Sequence, residues 1–99
     1  MDFDMEKKYK LTDETIKIDG HILYRIQASK DFNDVKKGDL GGFVEKEENL
    51  SHYGTCWIYD NACVYENAIV TDNARVSTNA KVWGNAGIYD KAMIKDCAE

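Results

Sequence analysis

The sequence predicts an all-β fold: about three turns of short parallel strands over residues 49–99, behind an N-terminal β-hairpin cap in residues 8–48. Three observations predict it. From Asn49 onward the chain repeats every six residues, with Asn in the first slot, a small or apolar residue in the second and a β-branched residue in the fourth. Apolar slots 2 and 4 alternate with polar slots 1, 3 and 5, the period-two pattern of a strand, and the pattern breaks once per unit, which demands a corner. The chain also carries no proline. That suits a stack in which nearly every backbone N–H is needed by the rung above or below.

Taken in order, residues 1–7 are expected to be flexible. Residues 15–18 and 21–26 flank Asp19-Gly20, a favoured two-residue turn, and read as a hairpin. Ile16, Ile18, Ile22, Tyr24 and Ile26 form one alternating apolar face. That face is expected to fold over the first turn of the stack, because a solenoid end exposes unpaired backbone and an apolar cross-section. Residues 36–42 are a turn-rich connector. Its glycines are expected to allow positive φ or close backbone approach. No GKS or GKT follows them, so a phosphate-cradling loop is not expected.

The repeat then begins. Asn61, Asn67, Asn73, Asn79 and Asn85 hold the first slot and are expected to shape the corners, since Asn tolerates φ > 0 and bonds locally. The second slot holds Cys56, Ala62, Ala68, Ala74, Ala80, Ala86 and Ala92. The fourth holds Ile58, Val64, Val70, Val76, Val82, Ile88 and Ile94, with His52 in that slot of the first unit. Strands this short are not stable singly and must stack. A three-sided coil uses 18 residues per turn, so residues 18 apart lie one rung apart, about 4.8 Å. That places His52 in column with Val70 and Ile88. It also builds outward columns: Trp57, Arg75 and Met93; Tyr59, Ser77 and Lys95; Cys63 and Lys81; Tyr65 and Trp83; Ile69 and Gly87; Thr71 and Tyr89. The eight units are read as having no insertion.

The run Val64-Tyr65-Glu66-Asn67-Ala68-Ile69 resembles the hexapeptide repeat of left-handed β-helix proteins, where an aliphatic residue is followed four positions later by a small one. Residues 31–44, running on to Glu48-Asn49-Leu50-Ser51, resemble the lead-in of a narrower branch. These are the small YdcK-like proteins of bacteria, prophages and phages, often labelled acyltransferases. The resemblance covers roughly residues 8–99. It implies a left-handed coil, which six-residue spacing alone does not. The family's frequent Gly after the aliphatic residue is replaced here by Tyr59, Tyr65, Thr71, Ser77, Trp83, Tyr89 and Lys95.

Lys and Arg number 13 against 18 Asp and Glu, a net charge of −5. Direct nucleic-acid binding, which needs a basic surface, is not expected. No apolar run approaches the roughly 20 residues of a membrane helix, and the first ten residues do not read as a signal peptide. Cys56, Cys63 and Cys97 read as reduced thiols of a bacterial cytoplasmic protein. Without a C-x₂-C pair no metal is expected, and no cofactor either.

The resemblance implies acyl transfer with a histidine base at a cleft between subunits. His21 and His52 are the two candidates and His52 the better one. His52 is nevertheless expected to be hydrogen-bonded under the cap, and catalysis is not expected. The outward residues Trp57, Tyr59, Tyr65, Arg75, Trp83, Tyr89 and Met93 are types enriched at interfaces and form the expected partner-binding surface. Trp57 with Arg75 could form a cation–π pair. Asp60, Glu66, Asp72, Asp90 and Asp96 read as solvated corner carboxylates.

A homo-oligomer is expected, end-to-end through residues 91–99 or side-to-side through the aromatic columns. The function these readings favour is a non-catalytic protein-binding or assembly module. It is phage- or prophage-associated by resemblance, and could inhibit a host protein, such as a defence nuclease, by occluding a surface. The alternative is a minimal hexapeptide-repeat acyltransferase.

Overall fold

A computed structural model describes residues 7–95. Within them the chain is all-β. Its strands are β1 (Tyr9–Ile18), β2 (His21–Ala28), β3 (Leu40–Val44), β4 (Trp57–Ile58), β5 (Cys63–Val64), β6 (Ile69–Val70), β7 (Arg75–Val76), β8 (Lys81–Val82), β9 (Gly87–Ile88) and β10 (Met93–Ile94). One 3-10 turn, Glu47–Asn49, precedes β4. No helix among the described residues is long and apolar enough to cross a membrane.

The short strands stack in parallel on three walls. Wall one orders β3-β5-β8, wall two β6-β9 and wall three β4-β7-β10. Registers such as Cys63↔Lys81, Ile69↔Gly87 and Trp57↔Arg75↔Met93 all step by the expected 18 residues. Backbone bonds close each step, for example Cys63 N–H to the Ala80 carbonyl at 2.9 Å and Arg75 N–H to the Ala92 carbonyl at 2.8 Å. Fourth-slot side chains fill the interior as the columns Val44–Val64–Val82, Leu50–Val70–Ile88 and Ile58–Val76–Ile94. Second-slot alanines pack between them. Each fully buried Val or Ile contributes about 1.5–3 kcal/mol over an exposed one.

The first unit departs from the expected register. Leu50, not His52, bridges to Val70, and Phe43 and Val44 pair with Cys63 and Val64. Those steps are 70 − 50 = 20 and 63 − 43 = 20 residues, whereas Trp57 to Arg75 is 18. Two extra residues therefore lie between Leu50 and Trp57, and the repeat does contain an insertion. The physical reason is plain: Leu50 fills the apolar column at no polar cost, whereas a histidine there would bury two ring nitrogens.

The corner geometry also differs. Positive φ falls on the sixth slot, at Asp60, Glu66, Asp72, Thr78, Gly84 and Asp90, one residue before each expected Asn corner. Their carboxylates are more than solvated charges. Asp60 accepts the Thr78 N–H at 3.1 Å, Glu66 the Gly84 N–H at 2.9 Å and Asp72 the Asp90 N–H at 3.1 Å. Each acid thus satisfies the donor of the corner one rung above, a donor that the turn would otherwise leave unpaired. Asp96 lies outside the described residues.

The hairpin forms as expected, with Asp19 and Gly20 both at positive φ, but β1 reaches back to Tyr9. It does not lie flat across the stack. Strand β2 pairs with β3, so the hairpin extends wall one into a five-stranded sheet of order β1-β2-β3-β5-β8. Register shifts between Leu11 and Thr15 and between Arg25 and Gln27 alter its inward face. Leu23 and Ile26 are buried, whereas Ile22 is exposed and Tyr24 only half-buried, correcting the alternation expected for that strand.

The first rung approaches so closely that a side chain on Gly42 would strike the Ala62 carbonyl, and one on Gly41 would sit 2.7 Å from the Ile58 carbonyl. Below, Lys8 is fully buried and donates to the Cys56 carbonyl at 2.7 Å and the Gly54 carbonyl at 3.3 Å. Burial drives its ammonium below the usual lysine range. The Tyr9 hydroxyl donates to the Glu47 and Leu50 carbonyls at 2.9 and 2.7 Å. Of the segment expected to be flexible, residues 1–6 lie outside the described residues, and Lys7 contacts Glu47 at 3.4 Å.

Candidate functional site

The two histidines are the first places to look for chemistry. His52, displaced from the core column, stacks on Tyr9 with centroids 4.2 Å apart. Its Nδ1 accepts the Lys8 N–H at 3.1 Å, which leaves the proton on Nε2 to be donated to Glu47 at 3.1 Å. Both nitrogens are committed, and that bond with the one from Lys7 holds the Glu47 carboxyl below its usual range. A general base needs a free lone pair within reach of a substrate proton, and His52 has none to offer.

His21, at the hairpin tip, reaches Glu45 with Nδ1 at 2.8 Å and Glu66 with Nε2 at 3.2 Å. These bonds, the Glu45 one foremost, push its pKa up. Burial works to raise Glu45, but His21 and the Glu66 N–H outweigh it and leave the carboxyl lowered. By sequence His21 is only the weaker of two candidate bases. Its place in a two-carboxylate clamp rests on the tip lying over wall one, which period alone does not reveal.

The expected partner surface divides by height along the walls. Trp57 is 1% exposed, covered edge-on by Phe32 at 5.2 Å and Tyr9 at 6.2 Å. Tyr65 is 3% exposed, packed with Leu23, Phe43 and Cys63, with Ile16 and Ile18 against them. Neither presents an open surface, because the cap segment that covers them has no periodic signal in sequence. Tyr59 is half-buried and donates to Asp34 at 2.9 Å. Burial first, then Asp34, pushes its hydroxyl up to about 12. Trp83 stacks on Tyr65 at 6.3 Å and is half-buried. The cation–π contacts are Arg25 over Phe43 and Lys8 over Phe32, in place of the expected Arg75 over Trp57.

Higher up the walls open. Tyr89 is 59% exposed and Met93 60%, and on wall two even Ile69 of the lower strand is 46% exposed. Arg75 is half-buried, below Met93 and above Trp57. A shallow groove of about 160 Å³ runs between Asp34, Tyr59, Asp60, Arg75, Ser77 and Met93. A second, of about 320 Å³, lies on the other side of Arg75. Asn61, Asn67, Asn73, Asn79 and Asn85, the residues expected at the corners, follow the positive-φ positions and are exposed. Asn61 accepts Arg25 at 3.0 Å and Asn67 accepts Lys46 at 3.4 Å, so two of them fasten the cap. Cys56 and Cys63 are buried free thiols, both raised in pKa chiefly by burial. Among the described residues no three His, Cys, Asp or Glu side chains are grouped to hold a metal ion.

No family model matches the chain. It is similar to a protein of Escherichia coli K12 described as "Uncharacterized acetyltransferase YdcK", with 40% identity over 62 residues. The match takes in 54% of this chain and 19% of that protein, so the chain spans about a fifth of its relative's length. The likeness suggests a link to YdcK-like, acetyltransferase-related proteins.

Proposed function

We propose that the chain is a non-catalytic binding or assembly module, built as a left-handed β-helix of about three coils (49–99) behind a hairpin cap (8–48). The observation that carries this reading is the exposure of Tyr89 and Met93 on the upper rungs, together with that of Ile69 on the lower strand of wall two. Tyr89 and Met93 stand on either side of the Asp90 corner, on walls two and three, and exposed apolar groups so placed are the surface offered for contact. The contact residues are Tyr59, Arg75, Tyr89 and Met93, with Trp83 at the margin. Trp57 and Tyr65 support them from beneath.

The partner is a protein, either a second copy or a host protein whose surface is occluded in the manner of a phage inhibitor. A bacterial cytoplasmic setting, with no cofactor, belongs to this reading. Support for the setting comes from the E. coli relative and the buried free thiols.

The test pairs wild type with Tyr89→Ser/Met93→Ser, which alters exposed positions alone. Sedimentation and quantitative capture from a bacterial lysate should both show loss of association in the variant at unchanged thermal stability. Equal association in the two proteins would reject the surface. An acetyltransferase remains the second reading because the relative carries that description. Calorimetry with acetyl-coenzyme A separates the two. Heat that saturates would favour the enzyme, and none at millimolar ligand would remove it.

A further inference from the structure

The groove of about 320 Å³ beside wall three is lined by Asn33, Thr55, Asn73, Arg75, Lys91 and Met93. Its chemistry is one-sided. Two of the six are cations and none is a carboxylate. Thr55, Asn73 and Lys91 form one corner column, each 18 residues from the next, and the Thr55 N–H and hydroxyl both donate to Asn73 Oδ1, at 3.3 and 2.8 Å. That occupies the acceptor end of the Asn73 amide and leaves its N–H₂ end as the one able to donate. The Arg75 guanidinium, although half-buried, enters no side-chain hydrogen bond or ion pair among the described residues, and neither does the Lys91 ammonium.

Carboxylates do stand nearby, and three of them accept hydrogen bonds elsewhere. Asp34 accepts the Tyr59 hydroxyl, Asp60 the Thr78 N–H and Asp72 the Asp90 N–H. Asp90 lines the neighbouring corner groove with Asp72 and Lys91. Asp34 and Asp60 line the groove on the other side of Arg75, but neither is hydrogen-bonded to it, and a half-buried guanidinium with no bonded anion is an unused source of charge-assisted bonding.

We infer that this groove is an anion site that receives a carboxylate side chain of an acidic protein segment, with Met93 taking an adjacent apolar side chain. A carboxylate is favoured over phosphate by the flanking acids. Asp34, Asp60, Asp72 and Asp90 repel a doubly charged group more than a singly charged one. The planar fork of Arg75 matches a carboxylate in a bidentate pair. The inference deepens the binding reading by naming the partner's chemistry, and it rests on that reading for its biological meaning.

The test needs no partner protein. The probes are the capped peptide acetyl-Asp-Asp-Phe-Asp-amide, its all-Asn counterpart and inorganic phosphate, titrated into the full chain while the Arg75 Nε–H and Asn73 amide NMR signals are followed. The expected result is a saturating shift with the Asp peptide at millimolar concentration. It should weaken about tenfold or more with the Asn peptide and in Arg75→Gln, and fall with added salt. No shift, an equal shift from the Asn peptide, or undiminished binding by Arg75→Gln would overturn the site. Tighter saturation by phosphate than by the Asp peptide would overturn the carboxylate assignment. Lys91→Gln, on an exposed corner, should weaken the peptide without altering thermal stability. It gives a second readout if Arg75→Gln perturbs the wall. Failure here would leave the Tyr89 and Met93 surface standing, because that surface is tested by association.

Discussion

The cap and the stack are held together by different means. In the stack, one residue's neighbours are those 18 positions before and after it, and the same few contacts recur on every rung. In residues 7–48 almost nothing recurs. Single side chains reach to backbone carbonyls: Lys8 to Cys56, Tyr9 to Leu50, and Arg25 to Gly41 at 2.6 Å. A repeat can satisfy its backbone from its own next rung, whereas an end cannot. The end of the stack must be satisfied by side chains that no period specifies.

The comparison can be broken most severely where the two regions meet. Gly42→Val places a branched side chain against the Ala62 carbonyl and Ile58 side chain, both immovable parts of the junction. It should cost about 3 kcal/mol or more and be visible as a large fall in the urea midpoint. Ile58→Ala, in the buried column beside it, should cost about 2–5 kcal/mol. If these two effects were no larger than those of surface substitutions, cap and stack would not share one core.

Lys8→Met sharpens the comparison from the cap side. It keeps the apolar stem but leaves the Gly54 and Cys56 carbonyls without their donor, an expected loss of about 1–3 kcal/mol by denaturant titration. Thr78→Asn probes the stack alone. A β-branched residue at φ 62° is strained, and Asn adopts that conformation more readily. The variant should gain up to about 1 kcal/mol.

The pH dependence of the clamp comes next. His21 has its pKa raised in the folded chain, so its contribution is complete below the ordinary value of 6.5 and is lost as pH rises through the raised one. Glu45 and Glu47 are lowered, so theirs are complete above 4.5 and are lost as pH falls through the lowered values. Hydrogen exchange of hairpin amides, relative to those of β8, should therefore quicken from pH 6 to pH 9 in wild type. In His21→Gln the ratio should stay level. The smallest effect belongs to Tyr89→Ser, within about 0.5 kcal/mol of wild type.

What was legible in the sequence follows the same division. The periodic residues gave the walls, the interior columns from Val64 to Ile94 and the stacking of Tyr65 with Trp83. The Asp19-Gly20 turn gave the hairpin. The first unit was misplaced because six-residue counting cannot detect two extra residues next to an imperfect repeat, and Leu50 and His52 both satisfy a loose apolar slot. The burial of Trp57 and Tyr65 was hidden for a related reason. Slots three and five say that a side chain points outward, but not whether Phe32 or Leu23 will return to cover it. The groove proposed to take an anion left little trace: in its corner column Thr55 and Lys91 both depart from the first-slot Asn that Asn73 keeps.

From Ala62 onward the interior of this stack is the same on all three walls, a β-branched residue and an alanine per strand, while each exterior is different. Removing 18 residues should therefore shorten the molecule and preserve every outer column. Removing six should leave the interior just as well filled yet hand each wall's exterior to its neighbour. A shift of six acts like one click of a three-position dial, rotating which surfaces face together without disturbing the axle. In such a molecule surface combinations can be exchanged by length change alone, a route to new partners closed to folds whose cores are not interchangeable from side to side.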